Sequence, residues 1–243
     1  MENKRLDYLD NIRWITVVLV IIYHIIYLFN NSGVISNIGV KGIQIMDTFL
    51  IFVYPWFMCL LFIVSGISCN YSLRKRSNKE FIKDRAKRIL LPSVLGIFIY
   101  GWISGFITAQ YTDMFAGNGN NIPGFIKYFI YSLMGIGPLW FCHVLFIGSL
   151  LIVLIRKIDK KEKINNLCKK INLPILFILV LLVWGSSFIL NTPLITVYRF
   201  GIYLFMMLLG YYVFSNQELI KKLEKISIQL SLISVVTGIC YVY

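Results

Sequence analysis

The chain has 243 residues, of which 58% are hydrophobic and 14% are charged, and its mean hydropathy is +0.75. These values fall outside the range of soluble globular domains and indicate a polytopic membrane protein. The net charge of +13 does not point to nucleic-acid binding, because the basic residues occur in short clusters between apolar runs. The five cysteines form no C-x-x-C pair, so neither a disulfide framework nor a metal site is predicted.

The first apolar segment, residues 14–29, has an arginine at its entrance and a histidine inside it. Arg13 and His24 are separated by about three helical turns, so they share a helix face, roughly 16 Å apart along the axis. Asp10 falls on or near the same face. Ionisable groups at membrane depth are candidate functional residues. The alternative is that Arg13 snorkels to the interface as an anchor while His24 packs against a neighbouring helix.

Six further apolar segments follow, each long enough or nearly so to cross a bilayer as a helix. They are residues 48–69, 93–109, 139–155, 173–190, 200–214 and 226–243. The sequence therefore predicts an all-α transmembrane bundle of about seven spans, forming a single domain over residues 1–243. The last segment carries no polar tail, so we expect a domain that is incomplete at its C-terminus.

The distribution of lysine and arginine predicts the orientation of these spans. With a cytoplasmic N-terminus, all but three of the 24 basic residues fall on the cytoplasmic side. The exceptions are Lys41, Lys127 and Arg199. The positive-inside rule therefore favours this orientation, and we expect a multi-pass protein of the cell membrane, specifically a bacterial cytoplasmic membrane.

The first cytoplasmic loop contains a helix signal of its own. Ser77 followed by Glu80 matches a capping box, and the apolar side of the next residues predicts an amphipathic helix that Pro92 ends. A basic helix of this kind typically lies on the inner leaflet and contacts anionic lipid.

The fourth span opens with Trp140 and His143, which we consider possible accessory site residues. An aromatic residue at the start of a span is also typical of an interfacial anchor, and that structural role is the alternative for Trp140.

Three motifs occur in order along the chain: Arg13 with His24 in the first span, Arg-Ala-Lys-Arg at residues 85–88, and Leu-Trp-Phe at residues 139–141. Together with the predicted topology, they resemble the acyltransferase 3 family of integral membrane acyltransferases. The resemblance covers essentially the whole chain. Members of that family usually have more spans than this chain, and His143 does not map onto a catalytic position of the family.

The resemblance implies transfer of an acyl group, commonly acetyl, from acyl-CoA to a hydroxyl of a carbohydrate or other cell-surface acceptor. Acyl-CoA is then a co-substrate, and no bound cofactor is expected. His24, Arg13 and Asp10 would be catalytic, with His24 as general base, while Arg85 and Arg88 would bind acyl-CoA. Arginines spaced i and i+3 share a helix face and suit phosphates through charge-assisted hydrogen bonds.

Two other functions remain open from the sequence. The chain could be a transporter or flippase whose charged stripe lines a passage, although we find no internal repeat of the kind common in transporters. It could also be a non-catalytic membrane fragment or subunit. The expected partners are acyl-CoA, the acceptor and the lipid bilayer, with no nucleic acid.

Overall fold

The structure, a computed structural model, describes residues 7–31, 41–111, 115, 117, 121–191 and 198–242. No β-strand occurs in these ranges, which confirms the predicted all-α class. The described part of the chain contains the α-helices α1 Asp7–Tyr27, α2 Gln44–Leu73, α3 Asn78–Arg85, α4 Leu91–Gly96, α5 Trp102–Tyr111, α6 Gly124–Met134, α7 Trp140–Ile158, α8 Lys163–Cys168, α9 Leu173–Ser186, α10 Phe200–Tyr212, α11 Gln217–Lys225 and α12 Ser227–Val242.

Four helices in the described ranges are long and apolar enough to cross a membrane: Tyr8–Tyr27, Gln44–Leu73, Asn78–Tyr111 and Gly137–Ile158. The pair α11 and α12, bent by 73°, would make a fifth span. Helices α9 and α10 are apolar but have only 14 and 13 residues, fewer than the ~20 residues that a membrane-crossing helix usually needs. Seven spans and a cytoplasmic N-terminus therefore stay predictions.

Helix α2 is the centre of the bundle and packs most extensively against α10. Phe62 of α2 is completely buried at this contact region. Two glycines permit the close approach of the helices: a Cβ on Gly66 would strike the carbonyl oxygen of Met207, and one on Gly210 would strike that of Ile63. Small residues at helix crossings commonly allow such backbone contact in membranes.

We expect Gly210→Val to lower the thermal stability of the purified protein, because the added side chain meets the backbone of α2. Overpacking of this kind costs about 1–3 kcal/mol. Gly185→Val is the matched control, since a Cβ at Gly185 meets no atom within 4 Å. Thermal unfolding in detergent, followed by circular dichroism, measures both variants. Equal midpoints would contradict the close packing of α2 on α10.

The predicted helix of the first cytoplasmic loop does not end at Pro92, so that prediction is wrong. A single helix runs from Asn78 to Tyr111. Proline normally breaks a helix because it lacks an N–H and its ring clashes with the carbonyl four residues earlier. Here a π-helical turn, Ala86–Leu90, precedes the proline, and the N–H of Leu91 bonds to the carbonyl of Ala86, five residues back. This wider turn accommodates the proline without ending the helix.

Helix α3 begins with the capping box predicted from Ser77 and Glu80. The Glu80 N–H donates to the Ser77 hydroxyl at 3.3 Å, while the Glu80 carboxylate accepts from the Ser77 N–H at 2.9 Å and from its hydroxyl at 2.8 Å. The two bonds that the Glu80 carboxylate accepts favour its charged form over its protonated form. The pKa of Glu80 is consequently lowered, first by the Ser77 backbone and then by its hydroxyl.

We expect Ser77→Ala to raise the pKa of Glu80 part of the way back to its ordinary value, because one of the two donors is lost. Since the folded-state pKa is lowered, the capping box stabilises the helix above the ordinary glutamate pKa and ceases to do so as the pH falls through the lowered one. A ¹³C NMR titration of the Glu80 carboxyl measures this shift, with Ser77→Thr as the control that keeps the hydroxyl. An unchanged pKa in Ser77→Ala would contradict the assigned role of Ser77.

Candidate active site

A cavity of about 1150 Å³ lies beside α1 and α2 and is completed by residues of α7, α10, α12 and the 78–111 helix. Ligand sites in proteins commonly have volumes of about 300–1,000 Å³, so this cavity has room for more than one small molecule. Its described lining combines apolar side chains with a set of polar and charged ones: Arg13, His24, Gln44, Asp47, Ser65, Ser68, Arg85 and Arg199.

One end of the cavity is defined by Arg13. Its guanidinium donates hydrogen bonds to Asp10 Oδ1 at 2.9 Å and to Ser68 Oγ at 2.7 Å. The first bond is also an ion pair within α1, and the second ties α1 to α2. Arg13 is therefore held in place on two sides, and Asp10 orients it.

Arg85 lines the same end of the cavity. It donates to the sulfur of Cys69 at 3.4 Å, and its guanidinium lies 5.2 Å from the centre of the Phe81 ring. Ser68 and Cys69 are consecutive residues of α2, so Arg13 and Arg85 both contact the same turn of α2, and both line the cavity. Two guanidinium groups at one end of a cavity make a suitable site for an anion.

The wall of α1 between Arg13 and His24 is apolar. Val17, Val20 and Ile21 line this part of the cavity. Leu61 of α2 lines it as well. The cavity thus has two polar regions separated by an apolar stretch, and His24 belongs to the second region.

His24 has one ring nitrogen available to a ligand. Its Nδ1 lies 2.7 Å from the carbonyl oxygen of Val20. A carbonyl oxygen can only accept a hydrogen bond, so Nδ1 carries the proton, and in the neutral ring Nε2 keeps its lone pair. The side chain is exposed on the cavity, and its ring contacts that of Tyr23 edge-on, with centroids 5.6 Å apart. In this tautomer Nε2 can accept a proton, which is what a general base does.

The region around His24 contains charged residues that the sequence analysis did not select. Arg199 lies over the ring of Tyr54, with its guanidinium carbon 5.7 Å from the ring centre. Asp47 also lines the cavity and accepts a hydrogen bond from the Asn31 N–H at 3.0 Å. A signal for Arg199 was present in the sequence, because it is one of three basic residues that the predicted orientation places on the side where positive charge is disfavoured.

Trp140 is buried and lines the cavity, which does not fit an interfacial anchor. Its ring packs on that of Tyr203, with centroids 5.1 Å apart, and near that of Phe62. The Leu-Trp-Phe motif therefore supplies an aromatic wall of the site, with Phe141 beside Trp140 in the lining.

The other predicted accessory residue, His143, does not line the cavity. Its Nδ1 lies 2.8 Å from the hydroxyl of Tyr198, and its buried Nε2 has no hydrogen-bond partner within the described ranges. Tyr198 directly precedes Arg199 in the chain. His143 thus contacts the segment that carries Arg199 and does not reach the site itself.

The structure places the two arginines of the Arg-Ala-Lys-Arg motif in different environments. Arg85 lines the cavity, whereas the side chain of Arg88 is 74% exposed and forms an ion pair with Asp84 at 2.7 Å. The π-helical turn Ala86–Leu90 begins directly after Arg85 and contains Arg88, and it changes the angular spacing of the motif from that of a regular α-helix. Their roles toward acyl-CoA stay predictions.

The described residues contain no group of three or more His, Cys, Asp or Glu side chains that could hold a metal ion. The guanidinium groups of Arg13 and Arg85 line one region of the cavity, and the imidazole of His24, with a free lone pair on Nε2, lines another together with Arg199.

The family profile described as "Acyltransferase domain", that of the acyltransferase 3 family, matches residues 6–243. The chain belongs to the acyltransferase 3 family. Comparison with curated proteins and with solved structures gave no match. Membership in the acyltransferase 3 family, together with the long apolar helices, indicates a membrane acyltransferase.

Proposed function

We propose that the protein transfers an acyl group, acetyl in the simplest case, from acyl-CoA to a hydroxyl of a carbohydrate at the cell surface. The observation that carries this proposal is the cavity itself. It joins an anion-binding end, formed by Arg13 and Arg85, to a histidine with a free Nε2. These are the two groups that an acyl-CoA thioester and an attacking hydroxyl need.

The proposed reaction begins when Nε2 of His24 removes the proton from the acceptor hydroxyl. The oxygen attacks the thioester carbonyl, a carbon–oxygen bond forms and the carbon–sulfur bond breaks. The departing coenzyme A thiolate then receives the proton from His24. General-base assistance of this type typically contributes about 10²–10⁴-fold in rate.

The separation between Arg13 and His24 decides the role of the arginine. The two residues lie roughly 16 Å apart along α1, which is well beyond the reach of an arginine side chain. Arg13 therefore does not stabilise charge at the carbon that the hydroxyl attacks. We assign it, with Asp10 as its positioning partner, to binding the donor at the far end of the cavity.

Arg85 lies beside Arg13 and is assigned to the anionic part of acyl-CoA. Arg88, exposed on the same helix, would contact phosphate outside the cavity once it leaves Asp84. The positive-inside rule supports a cytoplasmic position for this end, which is the compartment where acyl-CoA is found. The flexible pantetheine arm would then extend along the apolar stretch toward His24.

The test is an assay in membranes that carry the protein, using acetyl-CoA labelled in the acetyl group. We expect release of the coenzyme A thiol together with labelled saccharide, in equal amounts. Both products should be lost in His24→Ala, with insertion and folding of the variant checked by its yield and thermal stability. Movement of saccharide without consumption of acetyl-CoA would favour a transporter instead.

A further inference from the structure

Arg199 differs from Arg13 and Arg85, the other arginines that line the cavity, in the partners of its guanidinium group. Its guanidinium makes no hydrogen bond and no ion pair with any residue in the described ranges, although it lies over the ring of Tyr54. Arg13, by contrast, has both Asp10 and Ser68. Arg199 is exposed and lines the cavity, so its unengaged N–H donors are accessible to a ligand there.

The chain itself offers few groups that could pair with Arg199. Asp47 is the one carboxylate among the described residues of the cavity lining, and it lies beyond ion-pair distance of Arg199 and accepts a bond from Asn31. Residues 32–40 and 192–197, which flank these two positions, contain no acidic residue in the sequence.

The backbone around Arg199 holds it at the edge of the cavity. An isolated antiparallel bridge pairs it with Asn191, and the next residue, Phe200, donates to the carbonyl of Leu190 at 3.3 Å. Helix α10 starts directly after Arg199. The backbone at Arg199 is therefore held by this bridge, by the bond from Phe200 and by the start of α10.

Ring contacts link Arg199 to the proposed general base. Arg199 lies over Tyr54, the Tyr54 ring stacks near that of Tyr23 with centroids 6.4 Å apart, and the Tyr23 ring contacts that of His24. Arg199 thus belongs to the same region of the cavity as His24, opposite Arg13. In the proposed reaction this is the region that receives the acceptor.

We propose that Arg199 binds a carboxylate or phosphate carried by the acceptor, so that the site selects acidic saccharides over neutral ones. This inference rests on the proposed function, because it assigns the acceptor end of the same cavity. The planar guanidinium presents paired N–H donors that match either anion, and Tyr54 supports its other face by a cation–π contact. Asp47 and Gln44, which line the same region, are suited to hydroxyls of the sugar ring.

An anchoring role at the membrane surface explains Arg199 less well. Positive charge is disfavoured on the side where the predicted topology places it, and the side chain is directed over a tyrosine of the cavity. If Arg199 only anchored the helix, its substitution would leave the acceptor preference of the enzyme unchanged.

The test compares three oligosaccharide acceptors of equal size: a neutral one, one containing uronic acid and one containing phosphodiesters. We expect a lower KM for one or both acidic acceptors. In Arg199→Gln, that KM should rise about 10- to 100-fold, as expected for the loss of hydrogen bonds between charged groups. The value of kcat, and the KM for the neutral acceptor, should stay nearly constant. Arg199→Lys should restore part of the preference.

Lys127→Gln is the matched control, because Lys127 lies on α6 outside the cavity lining and on the same predicted side of the membrane. Equal KM values for all three acceptors, or an unchanged preference in Arg199→Gln, would overturn the inference while leaving the acyltransferase proposal intact. Comparison of the acceptor that contains uronic acid with the one that contains phosphodiesters shows which anion Arg199 binds.

Binding measured without acyl-CoA separates the two proposals. The acidic oligosaccharides should raise the Tm of the wild-type protein but not that of Arg199→Gln, and the neutral one should raise both equally. If no acyl transfer is detected but this difference in Tm is observed, the proposed function is refuted and the acidic-ligand site is supported. If neither acidic oligosaccharide shifts the wild-type Tm more than the neutral one, the site is refuted.

Discussion

Replacing His24 with alanine is expected to lower kcat for acyl transfer by about 10²–10⁴-fold, the usual contribution of a general base. The KM for acyl-CoA should change little, because the donor is bound at the opposite end of the cavity, about 16 Å away along α1. Steady-state kinetics of purified protein in detergent or nanodiscs measure both constants. A wild-type kcat in a folded His24→Ala protein would eliminate His24 as the base.

Two further measurements distinguish the loss of a base from a loss of structure. Added imidazole should restore part of the activity of His24→Ala, since the substitution leaves space next to the acceptor hydroxyl. Ile25→Ala serves as the neighbouring control on α1, because Ile25 is exposed and does not line the cavity. It should keep kcat close to that of the wild type.

Replacing Arg85 with glutamine is expected to raise the KM for acyl-CoA about 10- to 100-fold. Hydrogen bonds to charged groups contribute about 1.5–3 kcal/mol, and each 1.4 kcal/mol corresponds to about tenfold in affinity. The substitution removes a guanidinium that faces the cavity next to Arg13. Titration with acyl-CoA at saturating acceptor gives the KM.

Substitutions of the neighbouring basic residues test whether the rise in KM is specific to Arg85. Lys87→Gln should leave the KM unchanged, because Lys87 is exposed and outside the cavity lining. Arg88→Gln should have an intermediate effect, since Arg88 is exposed and already paired with Asp84. An equal rise in KM for all three variants would indicate a diffuse electrostatic attraction of acyl-CoA, and would contradict a specific contact at Arg85.

The features of the site that were predictable from the sequence are those that depend on one helix. Arg13 and His24 share a face of α1 because the helical period places them there, and both line the cavity. Asp10 pairs with Arg13 within the same helix. The capping box of Ser77 and Glu80 is equally local. In each case, the spacing of residues along one helix determined the contact.

The features that were not predictable arise where helices meet or depart from regular geometry. The π-helical turn Ala86–Leu90 carries the helix past Pro92 and places Arg85 and Arg88 in different surroundings. Arg199 and Asp47 join the site through packing between α1, α2 and α10, which no local pattern encodes. Trp140 is buried by the same packing.

In the proposed mechanism, donor and acceptor enter a single cavity from opposite ends and react near His24. The most direct measurement uses sealed proteoliposomes of known protein orientation, with labelled acetyl-CoA and saccharide, both membrane-impermeant, supplied on chosen sides. We expect labelled saccharide only when acetyl-CoA is on the Arg13 side and the saccharide is on the His24 side. Labelled saccharide formed with both substrates on one side would contradict it.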